Sequence, residues 1–189
     1  MLMIPLLVIV AAGVMLALWA MGVYNTLVRL RNAVKNAWSQ IDVQLKRRHD
    51  LIPNLVSTVR GYAAHERGLL EEVTRLRSEC MAESAPGPRL AGLESQLTDA
   101  LGRLMVRVEA YPDLKASEQF LSLQHELVMT EDRIQAARRF FNGNIRELNN
   151  AVESFPTTLV AGAFGFSKRD FFELSDARER ATPSVSLER

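Results

Sequence analysis

The residues of this chain best equipped for chemistry are three histidines (His49, His65 and His125), one cysteine (Cys80) and a scatter of carboxylates. A di-iron centre in a helical bundle needs a Glu from each of two helices and a Glu-x-x-His from each of the other two. No Glu-x-x-His occurs here. Each histidine falls near an expected helix end or on a charge-rich face, which suits a solvated or capping role better than metal ligation. Zinc is equally unsupported, because there is no C-x-x-C and no His/Cys cluster along the sequence. Cys80 reads as a small apolar side chain on a helix, and a single cysteine excludes an internal disulfide. No nucleophile sits in a Gly-flanked elbow and no phosphate loop is present. The sequence therefore predicts no catalytic residues, no metal and no cofactor, and a hydrolase is disfavoured.

What does call for explanation is a set of polar residues within otherwise apolar helical patterns: Asp42, Gln44, Arg47, Asn54, Glu109 and Asn149. They either make hydrogen bonds that fix helix register, as buried polar residues do in coiled coils, or belong to an exposed recognition surface. The densest signature is the stretch from Ala37 to Glu66.

The elements that must position these residues are helical. The chain has 189 residues, 48% apolar content and a net charge of +1, enough for one globular domain with an appendage. Its balanced charge gives no basic stripe, so nucleic acid is not an expected partner. Met1 to Thr26 carries no charge, and residues 1–23 are apolar apart from Pro5, Gly13 and Gly22. As a helix they extend about 34 Å, against a hydrocarbon core of about 30 Å. A retained transmembrane anchor is preferred to a cleaved signal peptide, because no Lys or Arg precedes the run and no A-x-A site follows it. Arg29, Arg31, Lys35, Lys46, Arg47 and Arg48 follow the span, so the N-terminus is expected outside and the remainder in the cytoplasm.

Beyond the anchor, residues 24–156 read as a long antiparallel four-helix bundle, giving an all-α fold with an N-terminal transmembrane helix. The first bundle helix carries Leu27, Val34 and Ile41 at seven-residue spacing and is expected to end near His49. Asp50 as cap and Pro53 in a first turn predict a corner and a new helix; one long helix kinked at Pro53 is the alternative. Leu55, Tyr62, Leu69 and Leu76 stripe the second helix, with Trp38, Ile41, Leu45, Leu55, Val59 and Tyr62 expected in the core. S-A-P-G-P from Ser84 to Pro88 is a clear break, followed by a third helix with Leu90, Leu97, Leu104 and Tyr111. Tyr111-Pro112-Asp113 ends it. The fourth, from near Ser117, repeats Phe120, Leu127, Ile134, Phe141, Leu148 and Phe155 at sevens, the pattern of a coiled-coil seam. Residues 157–189 form a Phe-rich short segment and a polar tail expected to be mobile.

Three groups of residues carry a family resemblance: Tyr24-Asn25, the run A-W-S-Q-I-D-V-Q-L-K-R-R-H-D-L-I-P-N-L-V from Ala37 to Val56, and G-Y-A-A-H-E from Gly61 to Glu66. With E-A-Y-P-D-L-K-A from Glu109, the Phe120 to Leu127 segment, T-E-D-R-I from Thr130, A-R-R-F-F-N from Ala137 and F-P from Phe155, the chain resembles the bacterial LemA family over about Tyr24 to Phe172. Arg139-Phe140-Phe141-Asn142 departs slightly, since the family tends to carry a Tyr before that Asn. The resemblance implies a bundle of long antiparallel helices behind one membrane helix, with no established catalytic activity. Some relatives are associated with magnetosome membranes, and no residue here marks this chain as one of them.

Two surfaces follow from the expected topology. The corners at Arg47–Asn54 and Tyr111–Lys115 should meet at the membrane-distal end, so Arg47, Arg48, Asp50, Asp113 and Lys115 are candidates for docking an unidentified cytosolic protein. Trp19, Tyr24, Phe164, Phe166, Lys168 and Arg169 are candidates for the membrane interface, with Phe171 and Phe172 alongside; the alternative is that these phenylalanines pack on the end of the bundle. The expected partners are the lipid bilayer, that cytosolic protein, and a second copy of the chain through the small residues Gly13 and Ala17. The expected function is a non-enzymatic membrane scaffold or adaptor. A self-assembling membrane-shaping or stress-response structural protein is the alternative.

Overall fold

The computed structural model describes residues 3–83 and 85–173, and the expectation of a mobile tail lies almost wholly outside them. Among the described residues every regular element is helical and the fold is all-α. The elements are α1 (Met3–Tyr62), a 3₁₀ turn (Ala64–Glu66), α2 (Arg67–Ala82), α3 (Pro88–Val108), the single turn α4 (Pro112–Lys115), α5 (Glu118–Glu153) and α6 (Thr157–Ala163).

The expected corner at Asp50–Pro53 does not form, and α1 continues through Pro53 to Tyr62. Two physical facts account for this. Proline has no N–H to give the carbonyl four residues back, which is that of His49. The Arg77 Nε–H donates to this carbonyl at 2.6 Å and satisfies it from outside the helix. Continuity also keeps one stripe intact: Val34, Ala37, Ile41, Leu45, Arg48, Ile52, Leu55 and Val59 are buried at steps of three and four, apolar at every position but Arg48. Full burial of one such aliphatic side chain is worth about 1.5–3 kcal/mol, so a stripe of this length outweighs the lost hydrogen bond. The turn falls instead at G-Y-A-A-H-E, where the Ala63 N–H bonds the Val59 carbonyl at 2.8 Å and the Glu66 N–H bonds that of Ala63 at 3.1 Å. Tyr62, expected in the core, is 50% exposed on the last turn of α1.

Among the described residues the chain divides into two compact units: 3–41 with 137–171, and 42–136 with 172–173. In the second, one apolar core draws Ile52, Leu55 and Val59 from α1, Leu70, Val73 and Leu76 from α2, and Leu97 and Leu104 from α3. Leu114 of α4 and Phe120 and Leu127 of α5 close it. Here the break at S-A-P-G-P falls where expected, with Pro88 opening α3 as a first-turn residue.

In the first unit α1 and α5 run antiparallel. Trp38 meets Phe141 with ring centroids 5.5 Å apart, and Tyr24, earlier on α1, meets Phe164, later in the chain, at 4.9 Å. The chain reverses after α6 at Gly165, the one described residue with a left-handed backbone (φ 72°). The Phe166 N–H there reaches back to the Ala161 carbonyl at 2.9 Å, the closure of a glycine-terminated helix. The start of α1 is long and apolar enough to cross a membrane, and Met3 to Trp19 are exposed throughout.

Candidate functional site

The most concentrated chemistry lies in the interior of the second unit, around Glu94. This residue occupies a core position of α3, between Leu90 and Leu97, and is fully buried. A charge there is tolerable only if its partners replace water. A single helix, α1, supplies both ion-pair partners: Arg48, whose guanidinium pairs with the Glu94 carboxylate, and His49, whose Nε2 lies 2.9 Å from Glu94 Oε1. Arg48 also donates to Glu131 of α5 at 2.7 Å and to the Thr98 hydroxyl at 2.9 Å. Its Nε–H has no protein acceptor among the described residues. Gln135, one turn along α5, holds the other oxygen of Glu131 at 2.9 Å.

These contacts set the protonation states. Burial pushes the Glu94 carboxyl up, but the His49 hydrogen bond and the positive charge of Arg48 outweigh it, leaving the pKa below the ordinary 4.5. Cys80 of α2 faces the same carboxylate. Burial, followed by the negative charge of Glu94, pushes its thiol up to about 12 against the opposing pull of Arg48.

His49, Cys80 and Glu94 thus offer three ligand atoms within 4.8 Å of one another, a cluster that the spacing of these residues in the sequence hides. The donor set nevertheless fits an ion-pair network better than a metal. Thiolates, not thiols, ligate metals, so a metal would have to displace a proton whose pKa burial pushes up to about 12. Both carboxylate oxygens of Glu94 are already engaged, one by the arginine cation and one by His49. His49 is therefore neither solvated nor capping, in contrast to the sequence reading, whereas His65 and His125 are exposed as expected.

The docking residues fare unequally. Arg48 is 1% exposed and is a core residue, so it is removed from any surface. Arg47 is exposed on the neighbouring face and pairs with Glu126 at 2.6 Å. Asp50 is exposed on α1, at mid-helix rather than at a corner. Asp113 and Lys115 are exposed on α4, where Lys115 pairs with Glu109. The two turns that do meet are Ala64–Glu66 and Tyr111–Lys115: the Tyr111 hydroxyl reaches Glu66 Oε1 at 3.4 Å. Of the polar residues singled out by pattern, Asp42 and Asn54 are exposed, and Asn149 anchors the chain near Arg169 rather than a helix seam.

The charges that bridge helices inside this unit are Arg48, Glu94 and Glu131, and none of them is in the polar set singled out by pattern, Arg48 being read there only as a docking residue. A signal was present. Arg48 fills the gap between Leu45 and Ile52, and Glu94 that between Leu90 and Leu97, each a charge at a step where the stripe requires an apolar residue.

Among the interface candidates, Trp19 and Tyr24 are exposed on α1. Phe164 and Phe166 both touch Tyr24, and the Arg31 guanidinium lies 5.2 Å from the Phe166 ring centroid. Lys168 pairs with Glu153 at 2.6 Å. The Arg169 backbone is held at both N–H and C=O by the Asn149 amide, each at 2.9 Å.

The fold and this interior place the chain among all-helical proteins led by one helix apolar enough to span a bilayer and sealed by a buried ion cluster. The profile of the LemA family matches residues 37–187, and the chain belongs to that family. Protein LemA of Metamycoplasma hominis is 31% identical over 152 residues, covering 80% of this chain and 69% of that protein. The magnetosome protein MamQ of Magnetospirillum gryphiswaldense is 26% identical over 188 residues, covering 86% of this chain and 68% of its own length. MamQ 2 of Paramagnetospirillum magneticum stands at the same 26%.

Proposed function

We propose that this protein is a non-enzymatic, single-pass membrane scaffold or adaptor, anchored by residues 3–23 with its N-terminus outside and its helices in the cytoplasm. The observation that carries the reading is the closed ion cluster. The acid, base and thiol that the fold gathers are consumed by one another, so they stabilise a shape and offer no reactive group to a substrate. Orientation rests on the basic residues from Arg29 onward, which resist translocation. With Arg48 buried, a protein-docking surface reduces to Arg47, Asp50, Asp113 and Lys115.

A second reading is self-assembly on the membrane. It is favoured by Gly13, whose surroundings are open, and by relatives that carry the magnetosome name. Crosslinking in intact cells followed by mass spectrometry tests both. One dominant heterotypic partner, lost on charge reversal of Arg47 and Lys115, supports the adaptor. Products joining only copies of this chain overturn it in favour of assembly.

A further inference from the structure

The seven-residue progression of α5 buries Phe120, Leu127, Ile134, Phe141 and Leu148, but its sixth member, Phe155, is 81% exposed. Leu159 on α6 and Phe164 just after it are 62% and 61% exposed. Val160 and Ala161 between them are buried, so α6 has an inward face and an apolar outward one. Three large apolar side chains within ten residues are thus turned to the outside of a unit whose interior is otherwise filled.

Their level relative to the anchor follows from helix register. Tyr24 precedes Trp38 by fourteen residues and Phe155 follows Phe141 by the same number. From the Trp38–Phe141 contact, α1 runs back to Tyr24 over about 21 Å while α5 runs antiparallel over about 18 Å to its last residue, Glu153, so Phe155, two residues past that helix end, lies close to the level of Tyr24. Phe164 reaches this level independently, by stacking on the Tyr24 ring. Tyr24 directly follows the apolar run, so the exposed phenylalanines continue the surface that faces lipid. Cations occupy the next layer: Arg29 and Arg31 lie about 8–11 Å further along α1, at the depth of the headgroups. Arg169, pinned by Asn149, returns to this layer, because Asn149 precedes Phe155 by six residues.

We propose that Phe155, Leu159 and Phe164 form a second membrane contact, seated at the headgroup–acyl boundary of the anionic leaflet from which α1 emerges. The inference rests on the reading that residues 3–23 span the bilayer. Apolar side chains enter the boundary while Arg29, Arg31 and Arg169 meet phosphates above it, the division of labour of interfacial elements. Phe166 takes no part, because it lies between Tyr24 and Arg31.

The test uses the full chain with Cys80→Ala, reconstituted in nanodiscs of phosphatidylethanolamine and phosphatidylglycerol. Single nitroxide labels are placed at Phe155→Cys, Leu159→Cys and Phe164→Cys, with Val10→Cys as the bilayer reference and Asn36→Cys as the aqueous one. All five positions are exposed, and unchanged helicity by circular dichroism confirms folding of each variant. The ratio of oxygen to nickel-complex accessibility at the three positions should fall between the references and well above Asn36. Ratios equal to that of Asn36, while Val10 reads as buried in lipid, overturn the second contact and leave the anchor standing. An aqueous reading at Val10 overturns the anchor and the contact together. Spin–spin broadening at the three positions with no rise in the ratio assigns the surface to a second copy of the chain and also overturns the lipid contact.

Discussion

In the unit that contains Glu94, an apolar core is crossed by charges withdrawn from water; in the unit that contains Asn149, a buried seam that includes Leu27, Ile41, Phe141 and Leu148 is extended by partly exposed aromatic rings and one side-chain amide gripping a backbone. The two devices differ in how they tolerate error. A buried ion pair loses little when both partners become apolar, but it is strongly destabilised when one partner is lost, so it penalises every register except its own. Stacked rings slide at small cost, and a backbone–amide pair is worth only the usual hydrogen-bond increments. The difference teaches that the heaviest penalty for losing a single partner is concentrated in the unit from Asp42 to Ala136.

The sharpest way to break this contrast is Arg48→Met. It strands Glu94 without its cation and should destabilise the folded chain by about 3–5 kcal/mol in denaturant titrations. Arg48→Met with Glu94→Leu should recover most of that loss, because Glu131 is partly exposed and can hydrate. If the single and double variants are equally unstable, the cluster is not an ion pair in the energetic sense.

Acid is the next lever. The Glu94 pKa is depressed, so its stabilising contribution is fully present above the ordinary value of 4.5 and is lost as pH falls through the lower folded value. Stability measured against pH should drop below 4.5, and Glu94→Gln should flatten that drop at the expense of stability at neutral pH. An unaltered acid limb in Glu94→Gln would refute the assignment.

Arg77→Met removes the donor to the His49 carbonyl and should cost about 1–3 kcal/mol, the penalty for an orphaned buried acceptor. In a Pro53→Ala background the cost should shrink, because the substituted alanine restores the intrahelical N–H. Equal costs in both backgrounds would detach Arg77 from the proline. Asn149→Ala, acting in the other unit, should cost about 1–2 kcal/mol for its two backbone hydrogen bonds. Its signature is local, a rise in hydrogen exchange confined to residues near Arg169. The smallest effect concerns Cys80, which should resist alkylation until the chain is denatured. Mapping of orientation by thiol labelling therefore needs an introduced, exposed cysteine.

The sequence made the helical periods, the break at S-A-P-G-P and the apolar N-terminal helix legible, because each is a local matter of backbone chemistry or side-chain period. The corner was not legible. Asp50 and Pro53 carry a strong local signal for a helix start, and a residue 28 positions from His49, Arg77, cancels it. The actual turn at G-Y-A-A-H-E contains no proline and only Gly61 as a weak helix former. The Glu94 cluster failed for a related reason. Its members come from four helices, and only the intrusion of Arg48 and Glu94 into apolar stripes marks them before the helices are placed side by side.

The left-handed backbone at Gly165 carries a further consequence. Two phenylalanines separated only by this glycine end in opposite circumstances, Phe164 turned outward and Phe166 sheltered beneath the guanidinium of Arg31. A β-branched or bulky side chain at 165 would resist the handedness of that bend. A residue with no functional group thereby assigns the roles of its two neighbours: one ring becomes a face, the other a fastening.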